Sequence, residues 1–146
     1  MFNQLLNGGL VSLVNFGIHA VMTGLIVVAS HRIAAATDAL HVFVRVSALL
    51  TVTLVVLMAT HVVEIGVWAA YYAWAGIKTA KADPFEFAFE NYTALGYGDA
   101  VAGEGHRLIG PITALNGLLL IGWSVAIIFE VMRMAEVQIG RRHRSG

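Results

Sequence analysis

The chain has 146 residues, of which 58% are hydrophobic and 12% charged, with a formal net charge of zero and no cysteine. Soluble domains carry about 25% charged residues, so this composition, with a mean hydropathy of +0.76, describes a single-domain integral membrane protein. Charge neutrality gives nucleic acid nothing to bind, and the lack of cysteine excludes disulfides, thiolate metal sites and thiol catalysis.

The first apolar run, Gly8 to Ser30, has no charged side chain before Arg32 and is long enough to span a bilayer, which takes about 20 residues. A cleaved signal peptide is the competing reading, since Ala34-Ala35-Ala36 resembles a small-residue cleavage site. A signal peptide wants a basic leader and a shorter apolar core, so the run is read as a transmembrane helix, expected at the periphery and packed on the second span. A polar interruption follows with Arg32, Asp38, His41 and Arg45; Thr37-Asp38 is the expected cap of the next helix. The second apolar run, 46–76, measures roughly 46 Å as a helix, against a hydrocarbon core of about 30 Å. Trp68, Tyr71, Tyr72 and Trp74 read as an interfacial aromatic belt, with the bilayer at about Val46 to Val67.

After a polar linker, Asp83-Pro84 supplies a cap and a proline at the first helical position. Residues 84–93 make a helix too short to cross, running into Phe89-Glu90-Asn91-Tyr92-Thr93-Ala94-Leu95-Gly96-Tyr97-Gly98-Asp99. A short helix followed by a glycine loop between two spans predicts a re-entrant segment, tolerated at depth where it is buried in protein or lines water. Glycine accepts positive φ, so Gly96 and Gly98 let consecutive carbonyls turn to one side, and a row of carbonyl oxygens replaces a cation's hydration shell. The third span runs from Arg107 to Met134, ahead of Arg141, Arg142 and Arg144.

Thr93-Ala94-Leu95-Gly96-Tyr97-Gly98-Asp99 resembles the Thr-Thr-Val-Gly-Tyr-Gly-Asp signature of the potassium channel family, specifically small bacterial members with one extra N-terminal transmembrane helix. The resemblance implies an all-α membrane protein with three transmembrane helices, a re-entrant pore helix and a selectivity-filter loop, assembled as a homotetrameric pore because one chain supplies one quarter of a closed carbonyl ring. It divides the chain into an extra helix and linker (1–45), a pore module (46–136, with outer helix 46–76, pore helix 84–93, filter 93–99 and inner helix 107–136) and a basic tail (137–146). It implies conduction of dehydrated potassium through Thr93, Ala94, Leu95, Gly96, Tyr97 and Gly98, the backbone carbonyls of Ala94, Leu95, Gly96 and Tyr97 coordinating the ion. Ala94 stands where the family usually has a threonine whose hydroxyl completes the innermost ion site, which implies a weaker site here. Glu86-Phe87 likewise replaces a tryptophan pair that braces the filter in many relatives. Glu90 and Asp99 are implied as filter support, meeting behind the filter and sharing a proton, against the plainer reading that Glu90 faces a neighbouring polar group and Asp99 is hydrated at the mouth.

Gly117 and Gly122 stand at the separation of the family's inner-helix glycines, as a gating hinge or as sites of close helix packing. Asn116 is read as facing a cavity or as an interhelical hydrogen-bonding residue, and Phe129, with Met132 and Glu130, as a gate candidate. His61, Glu64, Trp68 and Tyr72 follow one stripe of the second span. An intramembrane ionisable pair such as His61 and Glu64 invites a functional reading. The readings are a hydrogen-bonded anchor to the pore helix, a proton role, or a metal site completed by His19, with Asn15 one turn away. Basic residues at 32, 45, 133 and 141–144 place those segments in the cytoplasm by the positive-inside rule and the N-terminus and filter mouth outside, in what the resemblance implies is a bacterial inner membrane. The cofactor expected is the permeant K+ alone, with no organic group; the partners are the chain itself and membrane lipid. The alternatives to a potassium pore are a non-selective cation pore and a non-conducting accessory or metal-binding protein that keeps the pore-loop fold; enzymatic chemistry has no support.

Overall fold

The computed structural model describes residues 1–36, 41–77, 79, 82–96, 102–103 and 105–145, without the side chains at 34–35 and 136–145. Four helices follow in order: α1 (Phe2–Ala36), α2 (Val42–Trp74), α3 (Pro84–Tyr92) and α4 (Ile109–Ser145), with no strand among the described residues. Phe2–Ile33, Val42–Trp74 and Ile109–Ala135 are long and apolar enough to cross a membrane. Helix α3, at nine residues, extends roughly 14 Å and cannot. This is the all-helical membrane class expected from the sequence.

The helix ends follow local chemistry more closely than hydropathy does. Helix α1 begins ahead of the apolar run because Gln4 is tied to the start of α4: its Nε2 donates to the Gly105 carbonyl and its Oε1 accepts from the Leu108 N–H at 3.0 Å. The cap of α2 is His41, whose Nδ1 accepts from the Phe43 N–H at 3.4 Å; Thr37-Asp38 lies outside the described residues. Helix α2 closes on Gly76 at φ +65°, with the Gly76 N–H donating to Ala73 and the Ile77 N–H donating to Tyr72 at 2.9 Å. Only glycine adopts that left-handed position without a Cβ penalty. Asp83 caps α3 as expected, accepting from the Phe85 and Glu86 N–H groups at 2.8 and 2.9 Å. Helix α4 runs unbroken to Ser145, so the inner span and the basic segment are one helix.

Contacts at successive turns fix the topology. Helices α2 and α4 are antiparallel, with Tyr72 bonded to Thr113, Trp68 to Asn116 and His61 to Ser124. Helix α1 runs alongside α4 and against α2: Asn15 reaches both Asn116 and the Glu64 carbonyl, and His19 reaches both Glu64 and Ser124. The first span therefore does not rest on the second alone, as the sequence suggests. It lies in the groove between α2 and α4, because its inward polar groups find partners on both.

The aromatic belt is also corrected. Trp68 and Tyr72 are fully buried, Tyr71 is half-buried and Trp74 is 81% exposed, so two of the four residues that read as interfacial belong to the protein core. Tyr72 packs on α3, against Phe87 at 5.2 Å, in a cluster with Trp68, Ile65, Ala88, Tyr92, Ile109 and Leu120. Helix α3 starts level with Tyr72 and ends at Tyr92, level with His61 and Glu64. It thus descends about 12 Å along α2, with its carbonyl end pointing into the bundle.

That descent depends on Gly117. A Cβ there would lie 2.0 Å from the Tyr92 carbonyl oxygen, whereas one at Gly122 would meet nothing within 4 Å. The obstacle is backbone and cannot turn aside. We expect Gly117→Ala to push α3 off α4 and cost about 1–3 kcal/mol as overpacking, and Gly122→Ala to leave stability unchanged or raised. Thermal unfolding of the purified variants checks this, and equal melting of Gly117→Ala and wild type would contradict it.

Candidate functional site

The site is built on the last turn of α3 and the loop that leaves it. Thr93 closes the helix, its Oγ1 donating to the Phe89 carbonyl at 2.9 Å. The Ala94 N–H donates to Asn91 at 3.0 Å and the Leu95 N–H to Glu90 at 3.1 Å. This reversal holds Ala94 at φ +54°, and Gly96 follows at φ +55° with Leu95 outside the positive region. The sign of φ therefore alternates over three residues. A left-handed alanine costs roughly 1–2 kcal/mol that glycine avoids. Thr93 is half-buried, and Ala94, Leu95 and Gly96 are exposed on the single chain. Tyr97, Gly98 and Asp99 lie outside the described residues, and with them the pairing of Asp99 with Glu90, which is itself half-buried.

Behind this loop lie three polar layers, one above another. The deepest centres on the Glu64 carboxylate, at 0% exposure. The His19 Nδ1 lies 2.8 Å from its Oε1 and the His61 Nδ1 3.0 Å from its Oε2, to which Tyr92 also donates its hydroxyl at 2.5 Å. On the far side of both imidazoles, Ser124 Oγ is 2.9 Å from the His61 Nε2 and 3.4 Å from the His19 Nε2. One residue or more from every helix meets here. In the middle layer the Asn116 Oδ1 accepts from Asn15 at 3.1 Å and from the Trp68 indole at 2.9 Å. In the upper layer the Tyr72 and Thr113 hydroxyls meet at 2.6 Å.

The stripe His61-Glu64-Trp68-Tyr72 thus turns inward along its whole length, and Glu64 is tied to α3 through Tyr92. His19 joins the pair, with one ligand atom from each of His19, His61 and Glu64 within 4.8 Å of the others. Asn116 sits in an interhelical bond. Gly117 marks the closest approach of α3 to α4, and Gly122 faces open space. Phe129 is 66% exposed near the other end of α4, away from these layers. Tyr92, Thr113 and Ser124 are the participants that sequence reasoning missed. A signal for two of them exists: Thr113, Asn116 and Ser124 recur at helical intervals within an otherwise apolar span.

The loop and the layers stand within a matched segment: the family model described as "Ion channel" covers residues 50–134. No curated protein and no solved structure matches the chain.

The left-handed alanine yields a direct test. Ala94→Gly should stabilise the purified protein by about 1 kcal/mol. Ala94→Thr should destabilise it, since a β-branched residue at positive φ is a genuine outlier. Melting temperatures in the opposite order would contradict the backbone described for this turn.

Proposed function

Residues 50–134, more than half of the 146-residue chain, place this protein in the ion-channel family, and on that premise we propose that it forms a potassium-selective pore. The observation that carries the proposal is the re-entrant α3, whose carbonyl end descends into the bundle and opens onto Thr93-Ala94-Leu95-Gly96, with positive φ at Ala94 and Gly96. The aligned peptide dipoles of a helix leave partial negative charge at its C-terminus, so α3 favours a cation at the mouth of that loop. Carbonyls of Ala94, Leu95, Gly96 and Tyr97 then replace the water of potassium, ion by ion, with neighbouring sites close enough for repulsion to drive exit.

One chain offers one side of such a pathway, so the reading requires a ring of four copies. The surface it would bury is apolar: Leu95 is 59% exposed, and on α4 Leu115, Leu118 and Leu119 are 60%, 55% and 54% exposed. Gly122 and Phe129 on α4 are its hinge and gate candidates, and Glu90 with Asp99 its filter support. Helix α1 ends, α2 begins and α4 ends at one end of the bundle, where Ile33, Leu50 and Met134 share a cluster. That end carries Arg32, Arg45 and Arg133 and faces the cytoplasm by the positive-inside rule. The N-terminus and the loop after α3 then face outward from a bacterial inner membrane. Helix α1 has no charged residue between Met1 and His31, so it has nothing to move steeply in a transmembrane field.

In bilayers with unequal potassium and sodium, current through the purified protein should reverse near the potassium equilibrium potential and be blocked by barium. Reversal at zero with equal permeability would turn the reading to a non-selective pore, and absence of current to a non-conducting one. Native mass spectrometry should give a tetramer whose stability rises with potassium by mass action; a monodisperse dimer would contradict the fourfold ring.

A further inference from the structure

Conduction does not require two histidines converging on one carboxylate in the interior of the bundle. We propose that His19, His61 and Glu64 bind a divalent transition-metal ion of the zinc type at the junction of the four helices. The donor set suits that class: two imidazoles and a carboxylate are borderline ligands, the combination that zinc accepts with a fourth position left to water. One ligand atom from each residue already lies within 4.8 Å of the others. With metal–ligand bonds of about 2.0–2.1 Å, tetrahedral ligands stand roughly 3.3 Å apart. The His19 Nδ1–Glu64 Oε1 and His61 Nδ1–Glu64 Oε2 separations of 2.8 and 3.0 Å open slightly to reach that value, while the widest separation, within 4.8 Å, closes by up to about 1.5 Å.

Ser124 can serve both rings in the metal-binding tautomer. A neutral imidazole has one N–H and one acceptor nitrogen, and a serine hydroxyl has one hydrogen and two lone pairs. Without a metal both rings are satisfied when the Tyr92 hydroxyl, 2.8 Å from the His61 Nδ1, donates to it, the His61 Nε2–H donates to Ser124 and Ser124 donates to the His19 Nε2. Ser124 therefore permits a metal and does not require one. If both Nδ1 atoms bind a metal, both Nε2–H groups donate to Ser124 Oγ, which has two lone pairs to receive them. Metal-bound histidines are oriented by a partner on the ring nitrogen away from the metal, and Ser124 Oγ stands in that place for both rings. Charge points the same way: a carboxylate with no exposure at this depth needs a positive neighbour. The path in runs past His61, 15% exposed, which lines a cavity of about 300 Å³ with Phe89, Tyr92, Thr93 and Ser124.

The test uses the full chain in detergent, stripped by chelator and titrated with Co2+ and then Zn2+. One Co2+ per chain should bind with the intense visible absorption of a four-coordinate site, and Zn2+ should displace it. His19→Gln and Glu64→Gln, which keep hydrogen-bonding side chains, should each weaken binding about tenfold or more, whereas His106→Gln in the loop before α4 should not. Zinc-edge X-ray absorption on the wild type should show two imidazoles and oxygen ligands, a readout independent of whether the variants fold and of whether the pore conducts. No stoichiometric uptake, undiminished uptake by folded His19→Gln, or a first shell with fewer than two imidazoles would overturn the proposal.

Discussion

A carboxylate held at the level of the membrane interior is the constraint on which the rest of this structure depends. Glu64 has no exposure, and an ionisable group there is expensive unless every lone pair is used. Its partners are recruited from everywhere the chain can reach: His19 from α1, His61 from its own helix and Tyr92 from α3. Ser124 on α4 then holds both imidazoles from behind. Removing α1 or α3 leaves the buried carboxylate short of a partner, and removing α4 leaves both imidazoles short of one, so the three spans and the re-entrant helix are bound to one another by polar need as well as by packing.

The same constraint positions the channel machinery. Tyr92 is the last residue of α3 and immediately precedes Thr93, so the bond to Glu64 sets how deep the helix end sits. Gly117 sets how closely that end approaches α4. Depth and lateral position of the loop therefore come from two different interactions, one polar and one steric. The positive φ of Ala94 is a consequence of both, since the chain must reverse within three residues of a helix end it cannot move.

Much of this was legible in the sequence, and what was not has physical causes. Three apolar runs, the Asp83-Pro84 cap and the glycine loop gave the element order, because each rests on local chemistry. The spacing of His61, Glu64, Trp68 and Tyr72 marked a polar stripe, and a histidine four residues from an asparagine on the first span marked the ligand to look for. Hydropathy could not tell Trp68 and Tyr72 in a protein core from aromatic residues at a membrane surface, since both settings favour the same side chains. It also could not say which helices α1 would touch: an apolar span is equally content against lipid or protein, and only its few polar groups decide. Tyr92 escaped notice because its significance lies in a contact across 28 residues of chain.

The seat of α1 between α2 and α4 has a consequence for biosynthesis. Spans leave the ribosome in order, and α1 brings Asn15 and His19 into lipid before Glu64, Asn116 and Ser124 are there to pair with them. The second brings Glu64, whose carboxylate and carbonyl meet His19 and Asn15, so a helical hairpin can settle with part of its polar surface already matched. What it lacks is supplied only when Tyr92 and then Asn116 and Ser124 are synthesised. Each unfinished stage therefore displays, inside the bilayer, the polar groups that the next segment is built to receive, and the protomer is assembled as a sequence of captures running from its first helix to its last.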